Sequence, residues 1–190
     1  MKEADLRPGG TVSSPNRRAD LSGANLDGSV LERAKLTGAN LARASMVGAN
    51  LKYANLDRTD LRGADLSNAS LASTSVQDAN LTAATLKDAR IAGGKFAGSV
   101  FHGAILAGAD LRFALLSGAN FDGANLARAR LAHAQLGSIE LMDSLGKPLG
   151  RRVFTKLSGA NLTGADFSHA QVGDAELVAP QDRDGEATDP

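Results

Sequence analysis

Cysteine and tryptophan are absent from this chain of 190 residues, tyrosine occurs once, and aromatic residues make up only 4%. Without cysteine there can be no disulfide, thiolate metal site or cysteine nucleophile, and three histidines leave little for a catalytic zinc. Neither sign of charge is in excess: 21 Lys and Arg balance 21 Asp and Glu, which removes any pull towards nucleic acid or acidic lipid through bulk charge. No stretch approaches the roughly 18 apolar residues of a membrane span, and the opening MKEADLRPGG has no apolar h-region. The expectation is a soluble, cytoplasmic protein without a cofactor or metal, and enzymatic chemistry is disfavoured. The chain is still 43% hydrophobic, so its apolar material is mostly Ala and Leu rather than large rings.

What is present is a period of five. From Leu21 to Leu141 an apolar residue falls at every fifth position, 25 in succession, 19 of them Leu. Two residues before each lies a small one, Ala at 19 of the 25, with Ser29, Thr59, Thr74, Gly94 and Ser99 among the exceptions and Ile139 the only bulky one. Asn or Asp often follows the small residue, and Gly is frequent two after the Leu, so the unit reads A-[N/D]-L-x-G.

This period excludes two regular structures. On an α-helix five residues turn about 500°, each Leu drifts about 140° from the last, and no apolar stripe forms. On a flat strand the side-chain period of 2 makes a five-residue repeat swap faces at every step. A short extended piece fits, with the small residue and the Leu on one face, followed by a turn that restores the face. Gly, Asn and Asp supply such a turn because they tolerate positive φ and bond their own backbone. The chain must coil.

Units such as Ala24-Asn25-Leu26-Asp27-Gly28, Ala64-Asp65-Leu66-Ser67-Asn68 and Ala119-Asn120-Phe121-Asp122-Gly123 resemble those of the pentapeptide-repeat family. The resemblance covers residues 19–141 without a gap and resumes over 155–177. It implies an all-β fold, a right-handed quadrilateral parallel β-helix with four units per coil and the Ala and Leu positions inward. Coils should stack at about 4.8 Å, and the ends of such a one-dimensional column need caps.

Five segments follow: an N-terminal cap or decayed first repeat over 1–18, the main β-helix over 19–141, an insertion over 142–156, terminal repeats over 157–177 whose first unit begins near 155, and a disordered tail over 178–190. All five prolines lie outside the repeat blocks, as expected where each coil needs its backbone N–H groups. Leu141 and Leu157 are sixteen residues apart, so about eleven residues are inserted if the next unit is only delayed. The insertion, MDSLGKPLGRRVFTK, is read either as a projecting loop or as a distorted coil with Leu149, Val153 or Phe154 inward. Its Gly-Lys pair lacks Walker spacing.

With four units per coil, residues 20 apart stack. The side carrying Leu21, Leu41, Leu61 and Leu81 then displays Asp20, Asp60, Asp122, Glu140 and Asp143 against Arg43 and Arg62, a candidate acidic partner-binding face. The opposite side displays Arg33, Lys52, Arg90, Arg112 and Arg130 against Glu32 and Asp110, with Tyr53, Phe113 and His133 pointing outward. Scattered charge that merely keeps a solenoid soluble accounts for both stripes equally. Lys147, Arg151 and Arg152 are candidate loop contacts. Val100, Ile105, Phe113 and Leu115, apolar where the pattern is polar, form a candidate girdle for self-association into a homodimer. His102, His133 and His169 are read as separate solvated residues with no metal spacing.

These features predict a non-catalytic, protein-binding solenoid. The family resemblance sharpens that: its quinolone-resistance members look like B-form DNA, bind type II topoisomerases, and protect DNA gyrase or topoisomerase IV from quinolones and other poisons. An acidic stripe and an interrupting loop are similar in kind here. Leu in place of Phe, and a C-terminus without an apolar dimerisation segment, depart from those members. The alternatives are a general interaction or structural scaffold, including an effector-type module, and direct nucleic-acid binding by the basic side with Tyr53 and Phe113 stacking. No membrane partner is implied.

Overall fold

The structure, a computed structural model, describes residues 18–176. The expected tail, and all of the expected N-terminal cap but Arg18, lie outside the described residues.

Each five-residue unit makes one side of a coil. The apolar residue, the residue after it and a third at positive φ form a turn, closed by a bond such as Ala24 N–H to Leu21 O at 3.0 Å. Positive φ confined to the third residue, with that bond, is the type II geometry. It recurs at every fifth position from Gly23 to His133, with φ between 55° and 70°. Gly fills fewer than half of these places; Arg58, Asp78 and Ala83 hold the same backbone despite their Cβ. The repetition of neighbouring coils over-determines the conformation.

Successive coils pair in parallel, one residue per side, in a register of 20: Asp20 with Asn40, Asn40 with Asp60, Asp60 with Asn80, and so on for all four sides. Bonds such as Leu21 N–H to Asn40 O at 2.7 Å and Gly23 N–H to Ala42 O at 2.9 Å tie each coil to the next. This is a quadrilateral parallel β-helix. Its sides are called first to fourth after Leu21, Leu26, Leu31 and Leu36.

The core is one column of the small and apolar positions, fully buried from Ala34 to Leu136. Each buried Leu stabilises it by about 1.5 to 3 kcal/mol. At Thr59, Thr74 and Ser99 the small residue carries a hydroxyl and a carbonyl of the column accepts its proton: Thr74 Oγ1 donates to Leu51 O at 2.7 Å and Ser99 Oγ to Val76 O at 2.5 Å. The inward rings cluster, with Phe96 and Phe101 at 5.6 Å and Phe101 and Phe121 stacked at 4.7 Å.

The register jumps once. Asn120 pairs with Lys156, Asn125 with Asn161, Arg130 with Asp166 and Gln135 with Gln171, a step of 36, so sixteen residues are inserted and not eleven. The last inward position before the jump is Leu136; Leu141 is only half-buried and lies on a strand. The physical reason is Ile139, too large for a site that elsewhere takes Ala, Gly, Ser or Thr. There the chain leaves the column as a hairpin, β1 (Ile139–Met142) antiparallel to β2 (Pro148–Val153), with Ile139 opposite Val153 and Met142 opposite Pro148. It returns at Thr155, whose buried hydroxyl accepts from Gly118 N–H at 2.9 Å and shares its one proton between Gly137 O at 2.8 Å and Leu116 O at 3.1 Å.

The hairpin root rests on the fourth side. An added Cβ on Gly118 would lie 2.8 Å from Ile139 Cγ1 and 3.2 Å from Val153 O, so this glycine of the stack makes room for the root. Asp174 fastens the root to the last coil: its carboxylate accepts from Ser138 N–H and Oγ, each at 2.8 Å, and from Arg152 Nη1 at 3.3 Å. The Ser138 bonds, ahead of the nearby Arg152 charge, hold its carboxyl below the usual range.

Candidate protein-binding surfaces

The surface follows from one backbone donor. In each unit the N–H of the residue after the inward Leu points outward and takes no part in the ladder between coils. Asn or Asp two residues earlier accepts it, as Asn50 Oδ1 accepts from Lys52 N at 3.2 Å and Asn80 from Thr82 N at 3.0 Å. That explains the Asn/Asp preference of the unit. At three places where the earlier residue does not serve, an aspartate of the preceding coil takes over; elsewhere, as at Lys87, Ala97 and Ala107, the outward N–H has no acceptor among the described residues. Asp27 accepts from Val47 N beside Ser45, Asp57 from Gln77 N beside Ser75, and Asp122 from Ser158 N beside Lys156, at 2.9 to 3.0 Å.

This accounting engages the acidic residues expected on the first side. Asp20 accepts from Ser22 N and Asn40 Nδ2, both at 3.0 Å. Asp60 is held in a two-bond pair by Arg62, Nε to Oδ1 at 2.8 Å and Nη2 to Oδ2 at 2.6 Å, and that pairing keeps its carboxyl below the usual range. Their column continues through Val100 and Lys156. Glu140 and Asp143 are not on the first side at all, because the inserted hairpin carries them out of the 20-residue register. Glu140 lies opposite Arg152 on the hairpin, and Asp143 ties its turn by accepting from Leu145 N and Lys147 N at 2.8 and 2.9 Å.

The third side carries the basic residues and a column of rings. Phe113 stacks on His133 at 4.9 Å and His133 on His169 at 5.0 Å. The two histidines read as separate in sequence are therefore neighbours, brought together by the 36-residue step. Arg33 lies 6.0 Å over the Tyr53 ring. Asp110 takes two bonds from Arg112 and lies 3.9 Å from Arg130; the Arg112 bonds, then the nearby charges, hold its carboxyl down. Lys52 and Arg90 have no ion-pair partner among the described residues. They flank a shallow concavity of about 450 Å³ lined also by Gly48, Asn50, Ser70, Ala72, Ala92 and Asp110.

The candidate girdle is spread one residue to a side: Val100 on the first, Ile105 on the second, Phe113 on the third and Leu115 on the fourth. Val100 and Leu115 are half-buried, while Ile105 and Phe113 are 42% and 58% exposed. The hairpin is where exposed apolar side chains gather. Leu145 at its tip is 91% exposed, and Met142 and Leu149 are exposed on its strands. Lys147, Arg151 and Arg152 lie on the same element, Arg152 turned back to Asp174. Sequence reasoning singled out these cations as contacts and named Leu149 only as an inward residue of a distorted coil, which its exposure contradicts; an apolar residue outside the repeat phase was the available signal. Among the described residues no group of three or more His, Asp or Glu could hold a metal, and no helix is long and apolar enough to cross a membrane.

A four-sided column of this kind, with an inward Leu or Phe every fifth residue, defines a pentapeptide solenoid. The model of the family described as pentapeptide repeats matches residues 17–52, 29–68, 49–88, 64–103, 104–139 and 154–178, and the chain belongs to that family. The gap between the last two matches coincides with the hairpin. Among solved structures the chain is similar to HetL, a pentapeptide repeat protein involved in heterocyst differentiation regulation from the cyanobacterium Nostoc sp. strain PCC 7120, at 26% identity, TM-score 0.52, and 90% and 87% of the two chains covered. It also matches a pentapeptide repeat protein from the Arabidopsis thaliana thylakoid lumen, at 26% identity, TM-score 0.41, covering 65% and 72%. QnrB1, a plasmid-mediated fluoroquinolone resistance protein, matches at 15% identity, TM-score 0.37, covering 82% and 87%. No curated protein matches.

Proposed function

We propose that the protein is a non-catalytic protein-binding scaffold that presents its hairpin as the contact element. The observation that carries this reading is Leu145, 91% exposed at the tip of an element whose root is fastened by Asp174 and accommodated by Gly118. A large apolar side chain held out by a rigid support is the form of an interface anchor. Lys147 and Arg151 beside it add a positive rim. The test is site-specific photo-crosslinking in the source cells, with the crosslinker at Leu145 or, as control, at Gly23. A discrete protein adduct from Leu145 alone is expected; equal labelling from both positions would sink the hairpin as contact element.

The narrower reading makes the partner a type II topoisomerase, DNA gyrase or topoisomerase IV, with the rod as a DNA mimic that shields it from quinolones. A long rod interrupted once by a projecting element supports it. The first side supports it less, since Asp20, Asp60 and Asp122 are spent on Ser22 and Asn40, Arg62, and Ser158. The assay is gyrase supercoiling and cleavage with and without a quinolone, titrated with the wild type and with Leu145→Asp. Rescue by the wild type that the variant loses is expected under this reading, and no rescue at micromolar protein removes it while leaving the general scaffold in place.

A further inference from the structure

Several outward N–H groups have no acceptor among the described residues, Lys87 and Ala107 on the second side and Ala97 and Ser117 on the fourth among them; one such neighbouring pair, on the third side, lies in the concavity beside Ser70, Lys52 and Arg90. Ala72 N–H and Ala92 N–H have no acceptor among the described residues, whereas Lys52 N–H and Arg112 N–H above and below them are capped by Asn50 and Asp110. The residues that should cap them are Ser70 and Arg90. Ser70 lines the floor, is 8% exposed, and its buried Oγ has no hydrogen-bond partner. Arg90 is a cation and cannot accept. Because the side chains there are as small as Ser70, Ala72 and Ala92, the two donors lie in a hollow with Lys52 at one end and Arg90 beside it.

The same molecule shows what complements such a donor. Asp27, Asp57 and Asp122 each place a carboxylate oxygen on an outward N–H that its own unit leaves uncapped. We propose that this hollow is a carboxylate-binding site for an acidic segment of a protein partner, whose Asp or Glu does in trans at Ala72 and Ala92 what Asp27, Asp57 and Asp122 do in cis. Adjacent coils put the two N–H groups about 4.8 Å apart, close enough for one carboxylate to accept from both. Charge-assisted bonds of this kind are roughly twice as strong as neutral ones. Lys52 and Arg90, unpaired among the described residues, supply the matching charge. Asp110, which also lines the hollow, has its carboxylate taken up by Arg112; a nucleic-acid strand fits less well, because two open cations provide little attraction for a run of phosphates, whereas one carboxylate needs only the two donors and the charges beside them.

This site deepens the protein-binding reading without depending on the hairpin. The decisive variant is Ser70→Asn, which gives Ala72 N–H a cap in cis, as Asn50 does for Lys52 N–H, without changing charge. The probe is a fluorescein-labelled hexaglutamate peptide read by anisotropy at low salt, with Thr85→Asn, which caps the open Lys87 N–H, as the equivalent substitution on the second side. Binding to the wild type, weakened about tenfold or more in Ser70→Asn and in Lys52→Glu/Arg90→Glu, and unchanged in Thr85→Asn, is expected. Inorganic phosphate and acetate should compete only at far higher concentration than the peptide. No peptide binding by the wild type, equal binding by Ser70→Asn, equal loss in Thr85→Asn, or tighter binding of a single-stranded oligonucleotide would each overturn the proposal. Leu145→Asp should bind the peptide like the wild type, so a failed hairpin and a failed hollow give different results.

Discussion

Gly94 lacks a side chain because Phe96 needs the space: a Cβ there would lie 2.6 Å from Phe96 Cε2 and 2.9 Å from Ile91 O. The small position and the inward position two residues on share one layer of the column, and the Phe96 ring is turned into the space a methyl would take, whereas Phe101 and Phe121 leave room for Ser99 and Ala119. Gly94→Ala should overpack this layer and cost about 1 to 3 kcal/mol in urea unfolding, although Ala is the normal occupant of that position. In a Phe96→Leu background the same substitution should cost much less, since a leucine in place of the ring restores the usual pairing. Equal costs in both backgrounds would show that the ring does not set the requirement.

The fourfold column and the inward residues were legible because they depend only on a local period of five, which every unit repeats. Gly94 was visible as an exception to Ala, but its cause lay in the partner ring, which a tally of one position does not show. Glu140 and Asp143 were misplaced for a different reason. Counting in twenties assumes an unbroken register, and Ile139 ends it. That bulky residue at a small position was the one sequence signal that the coil stops before Leu141. The same break hid the stacking of His133 on His169. That Asp20, Asp60 and Asp122 also serve the backbone or a local arginine was not visible in the stripe read as a tally of charges, although Asp60 and Arg62 are only two residues apart. The open donors at Ala72 and Ala92 could be suspected in sequence, as Ser70 and Arg90 where Asn or Asp is usual, once the role of the Asn was known.

Asp110 offers a test of how much such an outward pair contributes. Its two bonds from Arg112, at 2.8 and 2.6 Å, depress its folded-state pKa. A carboxyl with a depressed folded-state pKa contributes stability that is present above its unfolded value, about 3.9, and is lost as pH falls through the folded value. Asp110→Asn keeps an acceptor for Arg112 N–H but removes the charge. The wild type should therefore exceed the variant by less than about 1 kcal/mol at pH 6, since the pair is partly solvated. Urea unfolding from pH 6 down to pH 2 should show that difference closing below about pH 4. A gap that persists at pH 2 would assign it to packing rather than to the ion pair.

The hairpin is an insertion in register, and that makes it removable. Asn120 stacks on Lys156 across 36 residues where every earlier pair spans 20. Deleting residues 138–153 removes sixteen and restores the step of 20. Gly137 then follows Leu136 as before, Phe154 takes the turn position that Phe113 and His133 occupy elsewhere at φ near 60°, and Thr155 and Lys156 keep their places before Leu157. The losses are the Asp174 bonds to Ser138 and Arg152 and the cover that Ile139 gives Gly118, all at the surface of the column. The deleted chain should stay folded, with circular dichroism and a urea midpoint close to the wild type. Phe154→Gly added to the deletion should raise the midpoint by removing a non-glycine residue from positive φ. A deletion of 11 residues, 142–152, leaves the register out of step by five and should unfold the last coil, seen as rapid proteolysis after Lys156. If the two deletions behaved alike, the 36-residue register would not be what holds the terminal repeats on the column.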